Sequence, residues 1–216
     1  VSIVTSKAQT TRHRILGILN SDDYQIIFSD LPGIIKPAYK MQESMMDFVR
    51  NSLEDADAFI FVVQIGDKPE NQPEEYEKIK KMNVPVLLLV NKIDLAMQEE
   101  IEEQLAIWIA DFPAAIVIPF SAKLNLNTDL VMKHLVDSLP ESPPYFDKEE
   151  WTDKPERFFV TEVIREKILM NYKQEIPYSC EVVCMHFQED ETIIRISVDI
   201  YVERESQKPI LIGKGG

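Results

Sequence analysis

Between Val84 and Val90 the chain reads Val-Pro-Val-Leu-Leu-Leu-Val, seven consecutive residues without a polar side chain. A strand with one face in water alternates apolar and polar residues, so an unbroken run of this length marks a strand covered on both faces. Helices packed on either side of a parallel sheet supply that cover. The first 140 residues carry the matching rhythm. Strand-like runs at Tyr24–Ser29, Ala58–Val63, Val84–Val90 and Ala115–Pro119 alternate with helical patterns at Met41–Leu53, Pro73–Met82, Glu99–Phe112 and Asn127–Leu139. The fold predicted for residues 1–140 is α/β, a doubly wound, mostly parallel sheet.

The rhythm stops at Leu139-Pro140-Glu141-Ser142-Pro143-Pro144, where closely spaced prolines can neither continue a helix nor join a central strand. Residues 141–153 read as a linker. A helical pattern follows at Pro155–Tyr172, with Phe158, Phe159, Val163, Ile164 and Ile168 near one face, and then two β-rich segments at Ser179–Gln188 and Thr192–Arg204. Residues 154–216 therefore read as a second, α+β domain.

Charge limits what each domain can bind. The net charge is -14, and residues 1–150 hold most of it, with 14 Lys and Arg against 25 Asp and Glu. Residues 151–216 hold 9 against 12. Phosphate affinity comes from clustered cations, so any nucleic-acid contact is local, and the acidic first domain is not its reader. The longest apolar runs are strand-length, far short of a bilayer span, and no basic leader precedes one, so the chain reads as soluble and not secreted. Cys180 and Cys184, four apart in an apparent strand, are expected as buried free thiols, in keeping with a reducing compartment. His13, His134 and His186 show no metal-ligand spacing and read as packing or surface residues, while Met41, Met45 and Met46 read as core-facing. The acidic runs Glu99–Glu103 and Glu189–Glu191 read as a solvated helix face and a turn.

In doubly wound sheets the chemistry sits in loops at the carboxyl ends of strands. After Val84–Val90 comes Asn91-Lys92-Ile93-Asp94. A carboxylate at Asp94 can accept two hydrogen bonds from the N–H edge of guanine, an edge adenine does not offer. Asn91 meets the imidazole side of the base or ties neighbouring loops together, and the aliphatic stem of Lys92 can lie on the purine face. After the next strand, the backbone N–H groups of Ser121-Ala122-Lys123 suit the guanine carbonyl oxygen. After an earlier strand, Asp30-Leu31-Pro32-Gly33 offers a carboxylate for the water shell of Mg2+ and a glycine N–H for a terminal phosphate. Taken singly, Asp30–Gly33 can be a plain turn and Asn91–Asp94 a helix cap. Three such loops at successive strand ends favour a guanine-nucleotide switch.

These motifs resemble the translation-factor-related GTPases, and Lys7-Ala8-Gln9-Thr10-Thr11-Arg12 resembles the first switch of the Era family of bacterial ribosome-assembly GTPases. By that resemblance one threonine ligands Mg2+ only in the triphosphate state, with Thr11 the better candidate and Thr10 the alternative. The likeness continues through Ile34-Ile35-Lys36-Pro37, Phe158–Lys167, Glu175–Ser179 and Val202–Lys208, nearly the whole chain. Leu31 departs from the threonine more usual there, and Ile34 stands where Ras-like proteins carry a water-orienting glutamine. The family likewise has a hydrophobic residue at that place, which implies slow intrinsic hydrolysis and names no side-chain base. The chain ends on Ile212-Gly213-Lys214-Gly215-Gly216, which matches the GxxG loop of KH domains, where glycines let single-stranded RNA approach the backbone and Lys214 meets a phosphate.

The resemblance thus implies a P-loop-type GTPase domain followed by a KH-type domain, binding GTP/GDP and Mg2+, hydrolysing GTP, and contacting the 3′ end of small-subunit ribosomal RNA during small ribosomal subunit assembly. It implies a cytoplasmic monomer. Peripheral contact with the inner membrane is a further expectation, to which the acidic charge and lack of a basic amphipathic helix lend little support. The alternative reading is a non-hydrolysing RNA-binding adaptor that keeps the nucleotide fold as scaffold. The six glycines, Gly17, Gly33, Gly66, Gly213, Gly215 and Gly216, leave no GxxxxGK[ST] loop. The sequence is therefore expected to be a piece of a longer protein, lacking the first strand, the P-loop and the end of the KH domain, and tight nucleotide binding is expected of the parent.

Overall fold

The computed structural model describes residues 2–5, 7, 10–35, 37, 40–53 and 55–215. Of the motif residues above, Ala8, Gln9, Lys36 and Gly216 lie outside the described residues. Two strands, β1 (Ile15–Asn20) and β2 (Gln25–Asp30), pair with each other. Helix α1 (Lys40–Ser52) follows, and then three strands, β3 (Phe59–Gln64), β4 (Val86–Asn91) and β5 (Ile116–Pro119), form a parallel sheet with β4 in the middle. Helices α2 (Glu74–Ile79) and α3 (Gln98–Asp111) make the crossovers, and α4 (Thr128–Ser138) follows β5. The C-terminal part comprises α5 (Glu156–Asn171), the antiparallel pair β6 (Cys180–Glu189) and β7 (Ile194–Val202), and the short α6 (Lys208–Ile212). Among the described residues no helix is long and apolar enough to cross a membrane.

By contacts the chain divides into two compact units, one of Val1–Ser21, Ile27–Gly33 and Phe146–Gly216, the other of Asp22–Ile26 and Ile34–Tyr145. In the second, the apolar run does what its composition requires: Val86 through Val90 are all buried. Trp108 of α3, Phe112 just past its end, and Tyr76 and Ile79 of α2 close over Phe59, Val63 and Leu88. The Tyr76 ring lies 5.0 Å from Phe61 and meets Trp108 and Phe112 edge-on at 5.9 and 6.1 Å. Each such aromatic contributes about 2–3 kcal/mol by leaving water. Of the methionines on α1, Met45 and Met46 are buried and Met41 half-buried.

A polar clamp finishes this core. Tyr76 Oη donates to Asp111 Oδ2 at 2.6 Å, and Lys80 Nζ reaches the same oxygen at 3.0 Å. Burial pushes the Asp111 carboxyl up, but the hydrogen bonds from Tyr76 and Lys80 and the charge of Lys80 outweigh it, holding the group below the usual carboxylate range. A depressed carboxylate adds stability that is complete above its unfolded value of roughly 3.9 and fades as pH falls through the lower folded value. The urea midpoint of wild type is therefore expected to exceed that of Asp111→Asn at pH 7, with the gap closing by about pH 2. A gap independent of pH would remove the charge from this account.

The first unit has its own core, in which Ile168, Cys180 and Val182 pack with Ile164, Tyr172, Val198, Val202 and Leu211. Two expectations need correction here, and one element was not foreseen. Strand β1 was not among the runs read from the sequence, because Ile-Leu-Gly-Ile-Leu-Asn is short, interrupted by Gly17 and buried only at Ile15 and Ile18. Val163 is exposed, and the buried face of α5 carries Glu162 and Arg165 beside Ile168 and Leu169. Cys180 is a buried free thiol, whereas Cys184 is only half-buried, beside a register shift before His186. Burial pushes the Cys180 thiol up. The segment following the prolines runs along β1: Ile18 N–H donates to the Trp151 carbonyl at 3.0 Å, and Asn20 Nδ2 donates to the carbonyls of Lys148 and Glu150.

Candidate functional site

Because β4 and β5 are neighbours in register, with Val90 opposite Pro119, the loops that leave them emerge side by side. Phe120 N–H donates to the Val90 carbonyl at 2.9 Å and Ile93 N–H to the Phe120 carbonyl at 3.3 Å. Asn91 makes the junction, its Oδ1 accepting from the backbone N–H of Lys92 at 2.8 Å and of Ala122 at 3.1 Å. Of the two roles left open for Asn91, the geometry is that of the tie between loops. Ser121 is fully buried and donates its hydroxyl to Asp94 Oδ1 at 2.6 Å, while accepting from Leu124 N–H at 3.3 Å. A carboxylate has about four acceptor sites, so Ser121 occupies one and fixes the plane of the group for a further pair of donors.

Lys92 takes the left-handed conformation, φ 65°, and its side chain is exposed, as is that of Lys123. Asn125 and Asn127 also have positive φ, 53° and 62°, and Asn127 Nδ2 donates to the Pro119 carbonyl at 2.7 Å. Asparagine is among the few side chains that tolerate this region, which explains its recurrence in the loop.

At the end of β2, Thr11 Oγ1 donates to Asp30 Oδ2 at 3.2 Å. Thr10 is engaged elsewhere, donating to the Lys7 carbonyl and meeting Thr5 Oγ1, each at 2.7 Å. The structure thus brings Thr11, not Thr10, to Asp30. Pro32 is buried, and Gly33 is exposed with no heavy atom within 4 Å of where a Cβ would stand. A hydroxyl and a carboxylate suit a hard cation such as Mg2+, which keeps most of its shell for water and phosphate oxygens and takes only one or two ligands from protein. No cluster of three or more His, Cys, Asp or Glu capable of holding a metal occurs among the described residues.

The threonine segment is stapled down by contacts that the sequence did not reveal. Arg165 lies in a buried pair with Glu162, Nε to Oε1 at 2.8 Å and Nη2 to Oε2 at 3.0 Å, and Nη2 also donates to the Thr10 carbonyl. Buried Arg12 donates to the carbonyls of Cys180 at 3.0 Å and Pro177 at 2.8 Å and meets Glu181 Oε2 at 3.3 Å. Lys7 Nζ donates to the Tyr172 carbonyl, and the His13 ring stands edge-on to Phe158 at 6.4 Å. No periodicity announces such staples, since each ties the threonine segment to residues far along the chain.

The Ile212–Gly215 turn closes α6. Gly213 has φ 76° and ψ -179°, a region open almost solely to glycine, and Gly215 has φ 92°. Ile212 and Lys214 are exposed, and Tyr172 Oη donates to the Leu211 carbonyl at 3.0 Å, anchoring the turn to the end of α5. Helix α6, just ahead of the turn, was not foreseen from the sequence.

A family model described as 50S ribosome-binding GTPase matches residues 1–92, and one for the KH domain matches residues 175–216. Among curated proteins, "GTPase Era" of Staphylococcus epidermidis is 41% identical over 219 residues, covering 100% of this chain and 73% of that protein. "GTPase Era" of Geotalea daltonii is also 41% identical, with the same coverage. Among solved structures, Era in complex with MgGDPNP and nucleotides 1506–1542 of 16S ribosomal RNA superposes with a TM-score of 0.93 at 34% identity, over 99% of this chain and 74% of that one. A single-residue variant of Aquifex aeolicus Era bound to GDP.AlF4- does so equally well, over 100% and 75%. With this identity spread over its whole length, the chain belongs to the Era family of GTPases.

Proposed function

We propose that this chain supplies the guanine-reading, switch and RNA-reading parts of a molecular switch that hydrolyses GTP to GDP and phosphate and acts in small ribosomal subunit assembly. Residues 1–140 serve as the GTPase module, 141–153 as the connection and 154–216 as the KH module. One observation carries the reading: Asn91 joins the two loops and Ser121 fixes the Asp94 carboxylate, which is the arrangement a guanine edge requires. Lys92 covers the purine face, and the backbone of Ser121–Lys123 receives the base carbonyl oxygen.

Thr11 and Asp30 would hold Mg2+, which when bound neutralises charge on the phosphate oxygens. Gly33 offers its N–H to the terminal phosphate, and Pro32 fixes the turn that presents it. Loss of that phosphate releases Thr11 and the Asp30–Ile35 segment. Water attacks the terminal phosphorus, and the bond to the GDP oxygen breaks. Phosphoryl transfer asks mainly for positioning and charge stabilisation, so slow turnover without a side-chain base is consistent with Ile34 following Gly33.

Exposed Ile212, Lys214 and the glycines around it present the backbone to single-stranded RNA, and the 3′ end of small-subunit ribosomal RNA is the proposed partner, since a related Era is solved with such a fragment. The protein works as a monomer in the cytoplasm. Fluorescence anisotropy of an oligonucleotide copying that 3′ end tests this on the full-length polypeptide bearing this sequence, loaded with GDP or a non-hydrolysable GTP analogue. The two states are expected to differ in RNA affinity by about 5–150-fold, the usual range of a coupling of 1–3 kcal/mol. Lys214→Asp is expected to weaken RNA binding in both. Equal RNA affinity in both states, without phosphate release from GTP, would leave the adaptor reading in its place.

A further inference from the structure

We infer that Gln64, at the end of β3, is a positioning residue for Lys92 and through it a determinant of how firmly the base is held. The inference rests on the guanine-nucleotide reading above. In the β3–β4 register Gln64 lies opposite Asn91, and Ile65 N–H donates to the Asn91 carbonyl at 3.1 Å, so the two strand ends are fixed to each other where the base loops begin. From there Gln64 Oε1 accepts a hydrogen bond from Lys92 Nζ at 2.6 Å. The Lys92 backbone is in turn held left-handed, with its N–H on Asn91 Oδ1. Both ends of the Lys92 side chain are therefore tethered, which draws its four-carbon stem out along the loop instead of leaving it to sample rotamers.

Gln64 is itself held by a second layer. Its backbone N–H donates to Asp67 Oδ2 at 3.0 Å, closing the Gln64–Asp67 turn, in which Gly66 sits at φ 90°. Buried Gln104 of α3 grips the turn from beneath, accepting from Gly66 N–H at 3.0 Å and donating to the Asp67 carbonyl at 2.8 Å. A buried glutamine satisfied on both ends by one turn is a rigid support. The order of support runs from Gln104 to the turn, to Gln64, to Lys92. A lysine carries one of the largest side-chain entropies to lose on ordering, so a tether present before the nucleotide arrives lowers the cost of laying the stem on a purine ring.

The test is a double-mutant cycle on the full-length polypeptide, read as GDP affinity and GDP dissociation rate with a fluorescent GDP. Gln64→Leu is expected to weaken GDP about tenfold, chiefly through faster dissociation, in line with the cost of ordering one rotamer-rich side chain on binding. In a Lys92→Met background, which keeps the stem without the ammonium, the same change is expected to cost less than about twofold, because the tether is already gone. Gln64→Glu, which still accepts from the ammonium, is expected to restore wild-type affinity. Equal losses in both backgrounds, or no loss in Gln64→Leu while wild type binds GDP, would overturn the role of Gln64 and leave the guanine reading standing. Failure of wild type itself to bind GDP would overturn both.

Discussion

Replacing Asp94 by asparagine in the full-length polypeptide is expected to lower GDP affinity about 100- to 10,000-fold, the loss of two hydrogen bonds to a charged group at roughly 1.5–3 kcal/mol each, and to raise affinity for xanthosine diphosphate. The asymmetry follows from donors and acceptors. Guanine presents N1–H and a 2-amino group, both donors, and Asp94 is acceptor-only when ionised. Asparagine offers one acceptor and one donor, so its amide nitrogen faces the guanine amino group as an unpaired donor. Xanthine carries a carbonyl oxygen at that position and turns the mismatch into a match. Ser121 Oγ, 2.6 Å from Asp94 Oδ1, can go on donating to the asparagine oxygen, so the loop is not expected to collapse. Competition of GDP, xanthosine and adenosine diphosphates against fluorescent nucleotide reads the change, with circular dichroism as a check on folding. A folded variant that binds GDP like wild type would remove Asp94 from base recognition. One that loses GDP with no gain for the xanthine nucleotide would show that Asp94 acts on the loop and not on the base.

The part of this site that was legible in the sequence is the part written in consecutive residues. Val86–Val90 announces a strand buried on both faces, and the loop after such a strand is where ligands meet an α/β sheet, so Asn91 and Asp94 could be read from position alone. Ser121 was legible as the start of the partner loop, but its hydroxyl bond to Asp94 was not. Contacts between distant charged residues left no such trace. An arginine in a sequence reads as surface, yet Arg12 and Arg165 are both about 4% exposed. The apolar residues of α5 suggested a face through Phe158, Val163 and Ile168. The helix instead turns Glu162 and Arg165 inward, where Arg165 donates to the Thr10 carbonyl. The Gln64–Lys92 and Gln104–Gly66 bonds are equally invisible, since glutamine is compatible with almost any surface position. Strand β1 was missed for a simpler reason: flanked by partner segments on both edges, it needs only two buried side chains to hold its place.

The staple at Thr10 leads to the second large effect. Arg165→Met is expected to destabilise the protein by about 3–5 kcal/mol, the usual consequence of removing one member of a buried ion pair and leaving the other charge uncompensated. Here the residue left behind is Glu162, whose side chain is 9% exposed against 5% for Arg165, and the Thr10 carbonyl loses a donor as well. Glu162→Gln combined with Arg165→Met removes the stranded charge, so most of the lost stability should return, and urea unfolding of the two variants measures the difference. The double variant also separates packing from signalling. Thr10 is covalently next to Thr11, whose hydroxyl meets Asp30, while Arg165 belongs to the same helix, α5, whose end anchors the Gly213 turn through Tyr172. A change at Thr11 therefore has a short route to the Gly213 turn through the Arg165–Thr10 bond, alongside the Lys7–Tyr172 contact. In the folded double variant the ratio of RNA affinities between the GDP and GTP-analogue states is expected to fall by about 2- to 30-fold, with GDP binding itself unchanged. Arg165→Met as stable as wild type within about 1 kcal/mol would contradict the burial argument. A double variant that keeps the full nucleotide dependence of RNA binding would show that the signal travels by another path.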